Sequence, residues 1–293
     1  MIIVTGANGQ LGRAIAERLL ELVPAGQIGV SVRDPEKARQ LEGRGVRVRR
    51  GDFGDAASLA YAFEGATQVL IVSSNARAYG GDPLAQHRSA IEAARAADTG
   101  RIVYTSHMAA NRASAFPPML DHAATEDMLR QSGLAWTALR NGFYASSGIF
   151  LMGDALKTGV LEAPADGKVS WTAHADLAEA AAIILADAGR YDGPTPPLTG
   201  SQSLDLADLA EIASDLLGRP IRRQVIPDDD LRANMAAHGM PDRAADMALG
   251  LYLASRQREF AAVDPTLERM LGRSPISMRD MIAEKLATDD AGS

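Results

Sequence analysis

From the first residue to about Tyr144, short runs of aliphatic and β-branched residues alternate with longer stretches in which apolar positions recur every three or four residues. Six runs read as strands, at residues 2–5, 28–32, 46–48, 69–72, 102–105 and 135–139. Five stretches between them read as helices, at 10–22, 35–41, 56–63, 83–97 and 121–131. Pro35 and Pro83 each follow an aspartate, the order expected of an N-cap and a first-turn proline. Strict β–α alternation predicts an α/β fold with a Rossmann-type doubly wound parallel sheet. Beyond Tyr144 the pattern changes to helix at 149–157, turn-rich chain at 163–168, a helix at 175–186 and a Pro/Gly-rich break at 193–200. A helix at 206–217, a short strand at 221–226 and further helices follow. The expected organisation is therefore a doubly wound domain over residues 1–145 and a smaller, mostly helical C-terminal lobe over 146–293, with the helix at 175–187 packing back on the first domain. Asp228 to Asp230 read as acids at a helix N-terminus.

The first expected strand runs directly into Thr5-Gly6-Ala7-Asn8-Gly9-Gln10-Leu11-Gly12 and then into a helix. In that context Gly6 permits a tight turn, Gly9 lets the backbone approach a pyrophosphate, and Gly12 allows helix and strand to pack closely. Free N–H groups and the positive dipole end of the helix then hold the diphosphate, with Gly6, Ala7, Asn8, Gly9, Gln10 and Leu11 as its cradle. Arg33 stands after the second strand, about twenty residues past the glycines, where a ribose-binding acid would select NAD. A guanidinium there favours a 2′-phosphate, which points to NADPH, although Asp34 offers an acid one position later. Asp52 and Phe53 fit a place beside the adenine. Ser73, Ser74 and Asn75 follow the fourth strand at the edge where open α/β sheets bind ligands.

Composition narrows the class. With 293 residues, 46% of them hydrophobic, the chain can fill a large core, and a net charge of −7 leaves no footprint for nucleic acid. No cysteine is present, so disulfides, thiolate metal sites and a cysteine nucleophile are excluded. The five histidines show no metal-ligand spacing, and no metal is expected. The N-terminus reads as a strand rather than a leader, and no apolar run is long enough to span a bilayer, which predicts a cytoplasmic protein without membrane attachment. A homo-oligomer is compatible with the sequence.

Several segments together are more specific than the glycines: the Thr-Gly-Ala-x-Gly-Gln-Leu-Gly start, Val32-Arg33-Asp34-Pro35, Gly51-Asp52-Phe53-Gly54-Asp55, Tyr104-Thr105-Ser106, Thr125-Glu126 and Leu139-Arg140-Asn141-Gly142-Phe143-Tyr144. On these the chain resembles the NmrA-like atypical short-chain dehydrogenase/reductases over almost its whole length. The likeness is strongest to the NADPH-dependent quinone oxidoreductases of type 2, with triphenylmethane reductases as near relations. The resemblance implies NADPH in the N-terminal domain, with Thr105, Asn141 and Gly142 among its contacts, and reduction of a quinone-like small molecule beneath the smaller lobe. It further implies that the segment at Phe143 and Tyr144 lines the acceptor, Phe143 stacking on a flat ring and Tyr144 offering a hydroxyl. His107, Met108 and the loop Phe116-Pro117-Pro118-Met119 are candidate walls by position. Taking Glu126 as a marker puts His122 and Pro118 where alcohol dehydrogenases of this kind carry the lysine and tyrosine of their proton-transfer pair. Without that pair a ketone would be poorly polarised, whereas a quinone or cationic dye accepts hydride with little acid help. The protein's contribution is then to hold the two reactants in contact, worth at most about 7–11 kcal/mol. Proton delivery falls to solvent or to His122, whose ordinary pKa lies near neutrality, and Tyr144 is the second candidate catalytic group. Two other readings share these features: a non-catalytic NADP(H)-binding redox sensor, and a reductase of azo or triphenylmethane dyes.

Overall fold

The computed structural model describes residues 1–291 of the chain and divides it into two compact units. The first comprises Met1–Arg112, Leu120–Asn141 and His174–Leu198; the second comprises Ala113–Met119, Gly142–Ala173 and Thr199–Ser293.

Six strands of the first unit follow one another in the chain: β1 (Ile2–Thr5), β2 (Ile28–Val32), β3 (Arg47–Arg50), β4 (Gln68–Ile71), β5 (Arg101–His107) and β6 (Ala135–Asn141). With Gly193–Pro194 as a seventh, they form one all-parallel sheet in the order Gly193–Pro194, β6, β5, β4, β1, β2, β3. The helices α1 (Gln10–Leu22), α2 (Arg39–Glu42), α3 (Ala56–Phe63), α4 (Pro83–Ala96) and α5 (Pro117–Gln131) make the crossovers. β1, β2 and β4 are buried at every position, as strands covered by helices on both faces must be. Ile3, Phe63, Val69, Ile71, Ile102 and Leu129 form the core on one face. On the other, the helix His174–Ala186 lies along α1, and Arg18 reaches Glu179 at 3.0 Å.

The differences from the expected elements have local causes. β3 covers Arg47–Arg50 instead of the apolar stretch 46–48. It is the edge strand, where paired arginine heads serve better than apolar side chains: Arg47 donates to the carbonyls of Glu64 and Ala62, and Arg49 to Glu64. α5 starts at Pro117, four residues before Asp121, because proline is preset for a first helical turn. β5 runs two residues past Thr105, so Ser106 and His107 pair with Arg140 and Asn141. The strand Val160–Ala163, just before the stretch expected to be turn-rich, was not legible, since it alternates exposed and buried positions over only four residues; it pairs with Arg222–Val225 inside the second unit. Among the described residues no helix is long and apolar enough to cross a membrane.

Candidate functional site

The sheet order reverses between β1 and β4, so the crevice at their carboxyl ends is where an open α/β sheet binds a ligand. β1 ends at Thr5, and Gly6 turns the chain with φ +65°. This is left-handed backbone that a side chain would strain. The Gly6 N–H donates to the Ser31 carbonyl at 3.0 Å, and Gly9 N–H closes the turn on the Gly6 carbonyl at 2.9 Å. α1 then begins with no side-chain cap and no acidic residue in its first turn. Its N-terminal N–H groups and dipole are left to an anion.

The three glycines do different work. A Cβ on Gly12 would lie 2.5 Å from the Gly6 carbonyl oxygen. The close approach needed there is of the helix to the turn itself, not of helix to strand. A Cβ on Gly9 would meet only that same oxygen, at 3.3 Å, and Gly9 has φ −84° and ψ 165°, ordinary extended backbone. What Gly9 keeps free is the space in front of the turn. Asn8 ties the turn to the end of β2 by donating from Nδ2 to the Asp34 carbonyl at 2.8 Å, while its buried Oδ1 has no hydrogen-bond partner.

Arg33 is exposed and, among the described residues, has no ion-pair partner. Asp34, the acid that competed with it in the sequence, is occupied: its Oδ1 caps the following 3₁₀ turn by accepting from Glu36 N–H at 3.2 Å, and Lys37 Nζ lies 3.5 Å from Oδ2. Arg13, on the first turn of α1, donates to the Lys37 carbonyl at 2.9 Å, which brings a second guanidinium to the loop that carries Arg33. Arg13 was not singled out from the sequence alone, where its signal was a cation in the first turn of the helix that follows the glycines. Asp52 uses Oδ1 to accept from Gly54 N–H at 2.9 Å, and Phe53 is partly buried against the core.

Across the crevice Val72 stands beside Gly6, where a Cβ would fall 3.4 Å from the Val72 Cβ. Ser73 N–H donates to Thr105 Oγ1 at 2.8 Å, and the Ser74 hydroxyl is engaged by Gln86 and by the N–H of Ala76. Thr105 and the Ser74 side chain thus both hold the protein's own loop. Asn75 is exposed. At the end of β6 the Asn141 carbonyl accepts from Met108 N–H at 2.8 Å, while its buried Oδ1 has no hydrogen-bond partner. Gly142 opens the second unit.

Two expectations about side chains need correction. His122 Nδ1 lies 2.8 Å from Tyr104 Oη, and its ring stacks on His107 with centroids 6.0 Å apart. An edge of the residue meets solvent, yet burial first, and then the neighbouring imidazoles of His107 and His87, hold its pKa well below the usual histidine value. It is neutral at pH 7 and is no ready acid. Burial also pushes His107 down to about 3; the ring lies among protein atoms, with Nδ1 accepting from Ala109 N–H at 3.1 Å. Phe143, expected to stack flat on an acceptor, is 8% exposed and meets Trp171 and Phe260 edge-on at 5.5 and 5.0 Å within the second unit. The ring is packed into its own aromatic cluster. Tyr144 beside it is partly exposed.

Ser106 donates to Glu126 at 2.6 Å, and Arg140 grips the same carboxylate at 2.8 and 3.2 Å. The serine is thus held in a buried ion-pair cluster, and with Pro118 and His122 at the other two positions no phenol–amine pair exists there.

Comparison with known proteins agrees with this geometry. A family model described as NAD(P)H-binding matches residues 6–188. Quinone oxidoreductase 2 of Escherichia coli is 34% identical over 97% of this chain and 98% of its own length. The NAD(P)H azoreductase of Xenophilus azovorans is 29% identical over 93% of each chain. Among solved structures, the Escherichia coli NADPH-dependent quinone oxidoreductase in complex with NADPH superposes with a TM-score of 0.90, covering 98% of this chain and 100% of that one at 34% identity. The triphenylmethane reductase of Citrobacter sp. in complex with NADP(H) gives 0.86, covering 97% and 99%, at 30% identity.

Proposed function

The chain belongs to the NAD(P)H-binding family, and on that premise we propose that it is an NADPH-dependent reductase of quinones or similarly electrophilic small molecules. The observation that carries the cofactor half is the uncapped, acid-free N-terminus of α1 beneath the Gly6 turn, with the unpaired Arg33 guanidinium at the end of β2. The residues fit the group: Gly6 to Leu11 would hold the diphosphate, Arg33 and Arg13 would supply positive charge for a 2′-phosphate, and Asn8 Oδ1 and Asn141 Oδ1 are buried acceptors without a hydrogen-bond partner. When bound, NADPH supplies hydride. In this reading residues 1–145 hold the cofactor and 146–293 form the substrate-binding lobe.

Acceptor chemistry follows from what the chain does not place at the expected proton-transfer positions. Pro118 cannot donate a proton, and His122 is neutral and committed to Tyr104. An acceptor that needs a strong acid at its oxygen is poorly served, whereas one that is already electron-poor requires only orientation and exclusion of water, with its proton taken from solvent. Reduction of azo or triphenylmethane dyes uses the same step, and the relatives named for those activities make it the second reading.

Loss of absorbance at 340 nm from NADPH mixed with the protein and a simple benzoquinone tests the proposal, with NADH in parallel. Saturable turnover favouring NADPH is expected. Arg33→Ala should raise KM for NADPH by about tenfold or more, the size of a lost charge-assisted contact, and leave NADH nearly unchanged. Equal losses for both cofactors would remove the basis for NADPH preference, and tight binding without turnover of any acceptor would favour a sensor.

A further inference from the structure

β4 stops at Ile71 for a visible reason: the next three backbone N–H groups are each captured by a side chain instead of a neighbouring strand. Val72 N–H donates to Thr5 Oγ1 at 2.9 Å, Ser73 N–H to Thr105 Oγ1 at 2.8 Å, and Ser74 N–H to His87 Nε2 at 2.8 Å. Thr5 and Thr105 belong to the two strands that flank β4, and His87 comes from α4. All three acceptors are 1% exposed. The donating residues are themselves part-buried, and each bond lost removes one anchor of this segment to the fold.

The His87 contact has a single direction. Because Ser74 N–H donates to Nε2, the imidazole carries its proton on Nδ1, which lies 2.8 Å from Thr125 Oγ1; the Thr125 hydroxyl in turn donates to the Asp121 carbonyl at 2.7 Å. The Asp121 carboxylate holds Arg77 in a fork, at 2.6 and 2.5 Å, and Arg77 lies in the turn just past Ser74. The circuit closes on the loop where it began. Residues 72–77 are thereby pinned by backbone at one end and by a guanidinium at the other, and Val72 stands against Gly6 across the crevice.

We propose that His87, with Thr5, is a positioning residue for the dinucleotide: its neutral Nε2 fixes the 72–74 wall opposite the glycine turn and so sets cofactor affinity without touching the cofactor. This rests on the reading of the crevice as the NADPH site. A protonated His87 would present a donor to a donor, and burial, which pushes its pKa down to about 4, keeps the acceptor available at neutral pH.

Fluorescence titration of NADPH into the wild type, His87→Leu, His87→Gln, Thr5→Val and Thr5→Ser, with KM and kcat for benzoquinone reduction beside it, decides the matter. Glutamine can place an oxygen where Nε2 lies, and serine keeps the hydroxyl. His87→Leu and Thr5→Val should weaken binding by about tenfold, the size of one hydrogen bond lost, and raise KM for NADPH by more than kcat falls. His87→Gln and Thr5→Ser should recover most of the affinity. A folded His87→Leu with wild-type affinity, or glutamine and serine failing as badly as leucine and valine, would overturn the proposal. If His87→Leu does not fold, the Thr5 pair carries the same test. Failure of the wild type itself to bind NADPH would instead overturn the functional reading on which this rests.

Discussion

Lowering the pH from about 7 to about 5 should remove about 4 kcal/mol of folding stability through His87 and His107 alone. Both are less than a tenth exposed, and burial pushes their pKa values down to about 4 and about 3. The unfolded chain takes up these protons below about pH 6.5, whereas the native chain refuses them until near pH 4, so the unfolded state binds more protons throughout that window. Stability is then fully present above the unfolded value and is lost as pH falls. His122, lowered in the same direction, adds to the loss. Against a typical total of about 5–15 kcal/mol this is a large share. Urea unfolding at the two pH values measures it, and His87→Gln should reduce the pH dependence by close to one proton. A change under about 1 kcal/mol would mean that water or compensating charge reaches these rings.

The second large effect separates two glycines that the motif treats alike. Gly12→Ala should destabilise the cofactor-free protein by about 1–3 kcal/mol, because its Cβ would sit 2.5 Å from a backbone oxygen that can retreat only if the Gly6 turn moves. Gly9→Val should cost the cofactor-free protein less, about 1 kcal/mol, since the backbone there is ordinary and its Cβ would meet only the Gly6 carbonyl oxygen, at 3.3 Å. Yet it should weaken NADPH by at least about 100-fold, because the side chain takes the room the diphosphate needs. Unfolding curves without cofactor and NADPH titrations give the two readouts independently. Gly9→Val binding NADPH normally would show that the crevice lies elsewhere, and an unchanged Gly12→Ala would show that the turn is softer than its geometry implies.

The parallel α/β sheet and the glycine turn were written in local signals. β1, β2, α1 and α3 begin and end where periodicity, capping aspartates and glycines place them, because burial on both faces forces continuous apolar runs and a helix start needs particular residues. Arg33 was likewise visible, since its meaning depends on distance from the glycines along the chain. Other features depended on contacts between residues far apart in sequence. Whether Asp34 or Arg33 is free turns on which side chain caps a 3₁₀ turn; that His122 is neutral turns on His87 and His107 lying beside it; and that Phe143 is enclosed turns on Trp171 and Phe260. A sequence names a side chain's chemistry, but its charge state and its freedom depend on what the fold packs against it. For that reason the glycine turn could be read from the chain alone, whereas the hydrogen-bonded circuit through His87, Thr125, Asp121 and Arg77 existed only once α4, α5 and the end of β4 had come together.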